Sequence, residues 1–178
     1  MANSTESNNS ASEEPKSNLR KFAEWFEPFG VEFIVIGGQA ETLMGSPRVT
    51  FDVDLCYRQS PENHERLAAA LKGLNIRLRN APPDLPFTFD ARTLGMGSNF
   101  TFQTSIVDLD LLGWVEPIGN YDALLKNCQT YPIGPLSVKV ISLDDLIRIK
   151  QHIKRNKDID SLYQLLAIKR IREETGQK

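Results

Sequence analysis

The spacing of hydrophobic residues along the chain predicts an alternation of helices and strands. Residues 19–29 carry apolar side chains at helical spacing, which predicts an amphipathic helix packed on a core. The continuous apolar run Phe33–Ile36 is closed by two glycines, which indicates a central strand that stops at a tight turn. A short helix is expected over residues 39–44, and the alternating residues 51–57 predict a second strand.

Hydrophobic spacing and turn residues predict further helices and strands through the rest of the chain. Ser60 followed by Pro61 is typical of a helix start, and this helix is expected to end near Gly73. Residues 80–97 hold three prolines and two glycines, which favours a loop lying over the site. Further strands are predicted at 100–102, 106–112 and 136–141, and further helices at 121–126, from Ser142 through Ile153, and around residues 162–168.

These elements predict one mixed α/β domain over residues 17–178. Residues 1–16 are rich in Ser, Asn and Glu and carry no large apolar residue after Met1. Such a segment cannot bury enough surface to order itself, so a disordered tail is expected there.

Composition and charge narrow the function classes only slightly. The net charge of -2 provides no general attraction to nucleic acid or membrane, so an anionic ligand would need a local basic patch or a metal ion. Cys56 and Cys128 lie far apart and fit no zinc spacing, which favours a reduced, cytoplasmic setting. No apolar run approaches the roughly 20 residues of a membrane helix.

Four aspartates on two predicted strands are the strongest chemical signal. Residues two apart on a strand point to the same face, so Asp52 projects with Asp54, and Asp108 with Asp110. Two carboxylates from one strand and one from its neighbour make a hard oxygen site suited to Mg²⁺ or Mn²⁺. A solvated strand face is the alternative, but both strands are otherwise filled with Val, Leu and Ile, where unpaired carboxylates would be costly.

The glycine turn completes this candidate site. Gly37 and Gly38 allow the backbone to approach a phosphate closely, and the helix start after them offers N–H donors. Taken alone, two glycines after a strand are usually only a turn. The segment from Lys139 to Arg172 is locally basic, and within it Lys150 is the residue expected to reach a phosphate, although a solvated face is the commoner explanation of such a run.

Four segments together resemble the DNA polymerase β-like nucleotidyltransferase superfamily. They are VIGGQA at 35–40, PRVTFDVDL at 47–55, VDLDLL at 107–112 and SLDDLIRIK at 142–150, the last followed by RNKD at 155–158. The pattern is most similar to a small prokaryotic branch related to AbiEii-type toxins. In two places the chain departs from that branch, since Ser161 stands where a second Asp is common and Gln39 where many relatives carry Ser.

The resemblance implies a nucleotidyltransferase fold, a short mixed β-sheet flanked by helices with a helical C-terminal segment. It also implies Mg²⁺- or Mn²⁺-dependent transfer of a nucleoside monophosphate from an NTP to an RNA, protein or small-molecule acceptor. Asp52, Asp54 and Asp110 would hold metal, with Asp108 the alternative third ligand, and Lys150 would contact the nucleotide. The alternative is a non-catalytic partner of this fold in a toxin–antitoxin pair, with a cognate protein bound to it.

Overall fold

The computed structural model of the protein describes residues 16–82, 87–153 and 158–176. Its strands are β1 (Phe33–Ile36), β2 (Val53–Tyr57), β3 (Arg77–Leu78), β4 (Asn99–Gln103), β5 (Leu109–Leu112), β6 (Gln129–Ile133) and β7 (Leu136–Val140). They form one mixed sheet in the order β3-β4-β5-β2-β1-β7-β6. The predicted mixed α/β class is confirmed.

The centre of the sheet is built from its most apolar strands. β1 pairs with β2 in antiparallel fashion and with β7 in parallel, while β2 pairs with β5 in parallel. Residues such as Ile34, Val35 and Leu55 are fully buried there, because helices cover the central strands. The register places Asp54 directly opposite Asp110.

Most of the helices begin at a side-chain cap, whereas α2 (Gly37–Leu43) and α7 (Ile159–Thr175) have no side-chain cap hydrogen bond. They are α1 (Asn18–Phe26), α2 (Gly37–Leu43), α3 (Pro61–Lys72), α4 (Ala91–Met96), α5 (Tyr121–Leu125), α6 (Leu143–Ile153) and α7 (Ile159–Thr175). As the sequence predicts, Ser60 caps α3, and Ser142 accepts a hydrogen bond from the amide of Asp145 at the start of α6. Among the described residues, no helix is long and apolar enough to span a bilayer.

Several predicted boundaries are wrong for identifiable reasons. The helix predicted over residues 19–29 ends at Phe26 and continues as a 3-10 helix from Glu27 to Phe29, because Pro28 has no amide hydrogen for an α-helical bond. Within the predicted loop 80–97, residues 83–86 lie outside the described part, but 91–96 form α4, capped by Asp90 and packed through the buried Leu94. The predicted tail, residues 1–15 in particular, also lies outside the described residues.

The two aspartate strands are shorter than predicted. β2 begins at Val53 and β5 at Leu109, since this is the first pair of residues matched between them. Asp52 and Asp108 therefore immediately precede their strands. The sequence prediction also missed β3 and β6, two edge strands whose formation depends on their pairing with β4 and β7.

Candidate active site

Three aspartates lie along one wall of an open cleft of about 550 Å³. Asp54 comes from β2, Asp110 from β5 beside it, and Asp52 from the segment just before β2. The opposite side of the cleft is formed by α6, with Lys150 among its lining residues. The structure thus places the predicted carboxylates Asp52, Asp54 and Asp110 in one cleft, while Asp108 is absent from the described residues that line it.

The glycine turn packs directly against this wall. Gly37 has a φ of 59°, and a Cβ there would overlap the carboxylate of Asp54. A Cβ at Gly38 would come within 2.8 Å of the Thr50 hydroxyl, and the Gly38 amide donates a hydrogen bond to Asp54. The first glycine is therefore required by its left-handed backbone and the second by close packing. The turn holds a carboxylate as well as lining the cleft.

The carboxylates influence one another's ionisation. Burial, with the nearby charge of Asp110, raises the pKa of Asp54 to about 6. Burial also raises the pKa of Asp110, while the guanidinium of Arg79 partly opposes that shift. Negative charge is thus concentrated at the boundary of β2 and β5, where a cation would be strongly stabilised.

This arrangement predicts that the wild-type protein loses stability as pH rises from about 4 to 6. The folded state keeps the Asp54 proton to a higher pH than the unfolded chain, whose ordinary value is 3.8, so it binds more protons in that window. Asp54→Asn should remove the part of this loss that Asp54 causes and raise the unfolding free energy at pH 7 by about 2 kcal/mol, since one pKa unit corresponds to about 1.4 kcal/mol and water still reaches part of the side chain.

Urea denaturation at pH 4, 5, 6 and 7 measures this effect. Asp160→Asn is the matched control, because Asp160 is exposed on α7. A pH profile that is the same in Asp54→Asn and wild type would contradict the assigned environment of Asp54.

Arg79 is the cation that meets the acidic wall, and the sequence prediction did not include it. Its Nη2 lies 2.5 Å from Oδ1 of Asp110, and its Nε lies 3.2 Å from Oδ2 of Asp108. Both aspartates therefore face the same side of β5, as predicted, and share one guanidinium. The backbone position of Arg79 is fixed by its amide, which donates to the Thr101 carbonyl at 2.9 Å.

The donor set can be compared with what a divalent ion requires. Hard carboxylate oxygens and mutual repulsion both fit Mg²⁺ or Mn²⁺. Among the described residues, however, no group of three His, Cys, Asp or Glu side chains is gathered closely enough to hold a metal ion. The carboxylates of Asp52, Asp54 and Asp110 are thus chemically suited to a divalent ion. In this structure, however, Asp110 is held in an ion pair by the guanidinium of Arg79.

Lys150, one of the residues that line the cleft, also belongs to a buried cluster of charges. Its Nζ is 2.7 Å from Oε1 of Glu41 and 2.6 Å from Oδ1 of Asp158. Arg48 joins the cluster 3.2 Å from Glu41, and Ser161 donates a short hydrogen bond to the same carboxylate. These contacts tie α6 and α7 to α2. The predicted contact of Lys150 with nucleotide therefore has to come from an ammonium that is already paired twice.

Two further residues, Gln39 and Glu41, support the site, although the sequence alone predicts no functional role for either. The Gln39 amide group donates to the carbonyls of Thr50 at 3.4 Å and Asp52 at 3.3 Å, which fixes the segment entering β2. Gln39 thus provides a side-chain tether where many relatives in the resembled branch carry Ser. Glu41, fully buried on α2, organises the cations of the cluster.

The rest of the basic segment is engaged at the surface. Lys169 pairs with Asp144 at 2.7 Å, Arg170 with Glu174 at 2.8 Å and Arg148 with Asp145 at 3.2 Å. Lys154, Arg155 and Lys157 lie outside the described residues. Two members of the described part of this run depart from a solvated face: Lys150, and Arg172, whose Nη2 donates to the Met44 carbonyl at 3.3 Å. The remaining described pairs agree with the solvated face that was its commoner interpretation.

No protein-family model matches the chain, and no curated protein matches it. The chain is similar to the solved structure of the antibiotic-resistance factor ANT(2'')-Ia, with a TM-score of 0.57 at 16% identity over 84% of this chain and 81% of the other. It is also similar to the lincosamide antibiotic adenylyltransferase LnuA bound to lincomycin, with a TM-score of 0.57 at 14% identity over 85% of this chain and 96% of that one.

A Thermotoga maritima protein described as a nucleotidyltransferase matches with a TM-score of 0.50 at 14% identity, over 84% of this chain and 92% of its own. At these identities the likeness concerns the fold. The predicted nucleotidyltransferase fold is confirmed, while the narrower resemblance to AbiEii-type proteins stays a prediction.

Proposed function

We propose that the protein is a nucleotidyltransferase that moves a nucleoside monophosphate from an NTP to an acceptor and releases pyrophosphate. The observation that carries this proposal is the convergence of Asp52, Asp54 and Asp110 on one cleft beside the Gly37–Gly38 turn. Carboxylates gathered on neighbouring strands cost free energy unless a cation balances their charge. A cation held there can in turn bind an anionic ligand in the cleft. The shared fold with nucleotidyltransferases agrees with this chemistry.

Each acidic residue of the cleft wall would have a defined role in this reaction. Asp52, Asp54 and Asp110 would hold Mg²⁺ or Mn²⁺, which supplies counter-charge to the transferring phosphoryl group. Asp110, whose pKa burial raises, would accept the proton of the acceptor hydroxyl as its oxygen bonds to the α-phosphorus. The bond from that phosphorus to the pyrophosphate oxygen breaks, and the electron pair leaves with pyrophosphate.

Lys150 and the glycine turn would position the nucleotide. An ammonium has three donors, and Glu41 and Asp158 account for two of them, which leaves one for a phosphate oxygen. Gly37 and Gly38 line the cleft without side chains, so the triphosphate can approach the backbone there. In this proposal the turn, the acidic wall and α6 surround the same triphosphate.

The proposed reaction requires an acceptor with a hydroxyl group. RNA, protein and small molecules all offer hydroxyl groups. One similar structure is a lincosamide adenylyltransferase with lincomycin bound and another is an antibiotic-resistance factor, which makes a small hydroxyl-bearing molecule the first acceptor to test. Trp114, half exposed at the cleft, is an apolar surface on which part of such an acceptor can lie.

One observation favours a second candidate, a non-catalytic partner in a toxin–antitoxin pair. Arg79 already pairs with Asp108 and Asp110, so these two carboxylates have a cationic partner in the protein itself. Helix α7 also exposes Ile159, Tyr163 and Ile171, a surface on which a cognate protein can pack. The presence of three carboxylates, Asp52, Asp54 and Asp110, along one wall of the cleft favours the enzyme, because a binding partner gains nothing from their repulsion.

Pyrophosphate release separates the two candidates. We expect release with at least one of the four NTPs in the presence of Mg²⁺ or Mn²⁺ when total RNA, a protein extract or a mixture of small polyhydroxylated compounds is supplied. An α-³²P label on each NTP then identifies the acceptor that becomes modified. Nucleotide binding without turnover under any of these conditions would favour the non-catalytic partner, and binding of neither nucleotide nor metal would contradict the site itself.

A further inference from the structure

Arg79 differs from the other described cations that line the cleft. Arg48 and Lys150 belong to the buried cluster with Glu41 and Asp158, which holds the helices together. Arg79 instead reaches the acidic wall from the edge of the sheet, just after β3. Among the described cations that line the cleft, Arg79 is the one that pairs with a proposed metal ligand, Asp110.

The guanidinium of Arg79 is incompletely satisfied where it lies. Its Nη2 donates to Asp110 at 2.5 Å, but its buried Nε has no hydrogen-bond partner of good geometry, although Oδ2 of Asp108 is 3.2 Å away. A guanidinium presents its donors as a planar fork that matches two oxygens of a phosphate. Because this Nε is buried but Arg79 lines the cleft, a phosphate group can engage the donor once the side chain turns toward the cleft.

The position of Asp110 links this donor to the metal site. Asp110 lies opposite Asp54 on the neighbouring strand, yet one of its oxygens is held by Arg79. A divalent ion and the guanidinium would draw on the same carboxylate. As long as Arg79 stays there, Asp110 cannot contribute fully to a metal site with Asp52 and Asp54.

We propose that Arg79 is a triphosphate-binding residue that exchanges partners when nucleotide binds, releasing Asp110 to complete the metal site. This inference rests on the proposed function. The phosphate oxygens of the NTP take up the guanidinium, and the freed carboxylate turns toward Asp54. The exchange makes the third carboxylate available only when nucleotide is present, so the site is assembled by its own substrate.

Substitution of Arg79 should move two affinities in opposite directions. In Arg79→Gln, Mn²⁺ measured without nucleotide should bind more tightly, by about threefold or more, because the competing cation is gone. A non-hydrolysable α,β-methylene NTP measured without metal should bind about tenfold or more weakly, because a charge-assisted contact is lost. A residue that merely supported the structure would weaken both ligands or neither.

Isothermal titration calorimetry on the full chain provides both affinities, with thermal melting to show that each variant is folded. Arg77→Gln is the matched control, since Arg77 is an exposed arginine two residues before Arg79, on β3, and does not line this cleft. If Arg79→Gln fails to fold, Arg79→Lys keeps the charge and should still lose analogue affinity, because an ammonium cannot bond in fork fashion.

Unchanged or weaker Mn²⁺ binding in Arg79→Gln, or unchanged analogue binding, would overturn the exchange. If such a variant still releases pyrophosphate like the wild type, nucleotidyl transfer stands and only the role of Arg79 is rejected. If the wild type binds no nucleotide, the proposed function and this inference are rejected together.

Discussion

Asp52→Asn is expected to lower pyrophosphate release by about a thousandfold or more, the result of losing several kcal/mol of transition-state stabilisation. Charge accumulates on the oxygens of the transferred phosphoryl group, and the carboxylates of the cleft are what hold its counter-charge. Asp52 is exposed at the cleft wall just before β2, so its replacement by the nearly isosteric Asn removes charge without opening the core. The circular dichroism spectrum should therefore barely change.

Asp108→Asn is a close control for this variant. Asp108 also immediately precedes a strand of the same parallel pair, but the described residues that line the cleft include Asp110 and not Asp108. We expect Asp108→Asn to stay within about a few-fold of wild type, because its carboxylate pairs with Arg79 and does not itself line the cleft. Equal losses of activity in both variants would mean that Asp108 acts in the reaction as well as Asp110. Full activity in Asp52→Asn would show that Asp52 is not part of the site.

The core of the site could be predicted because its signals are local. Phe33–Ile36 is apolar throughout and ends in two glycines, so both the strand and its turn are encoded within six residues. The two-residue spacing of Asp52 and Asp54 also indicates their common face whether or not the strand includes both. The structure confirms the mixed fold and places Asp52, Asp54 and Asp110 together, although β2 begins one residue after Asp52.

The parts that escaped prediction depend on contacts between distant segments. Arg79 follows a strand of only two residues, and its position comes from pairing with β4 at Thr101. Ser161 donates to Glu41 across 120 residues of sequence, so the departure from the resembled branch at position 161 gave no hint of its partner. Hydrophobic spacing carries no information about such pairs, because it reports burial and not which side chains meet.

The corrected surroundings of Lys150 change what its substitution should do. Lys150→Ala takes an ammonium away from the buried carboxylates of Glu41 and Asp158, and Arg48 lies 3.2 Å from the first but 4.0 Å from the second. Removing one member of a buried charge cluster typically costs about 3–5 kcal/mol, whereas an exposed pair contributes about 0–1 kcal/mol. We therefore expect a large loss of unfolding free energy in Lys150→Ala and almost none in Lys169→Ala, whose ammonium pairs with Asp144 at the surface. Urea denaturation at pH 7 measures both.

A double variant separates stability from nucleotide binding. Combining Lys150→Met with Asp158→Asn removes one charge of each sign, so the remaining Glu41 and Arg48 form a balanced pair 3.2 Å apart. We expect this variant to regain about 0.5–3 kcal/mol of the lost free energy, the size of the coupling between contacting residues in double-mutant cycles. NTP affinity should nevertheless stay about tenfold below wild type, the size expected for one lost charge-assisted contact. Affinity that returns to wild type together with stability would show that Lys150 fastens α6 and α7 to α2 and does not touch the nucleotide.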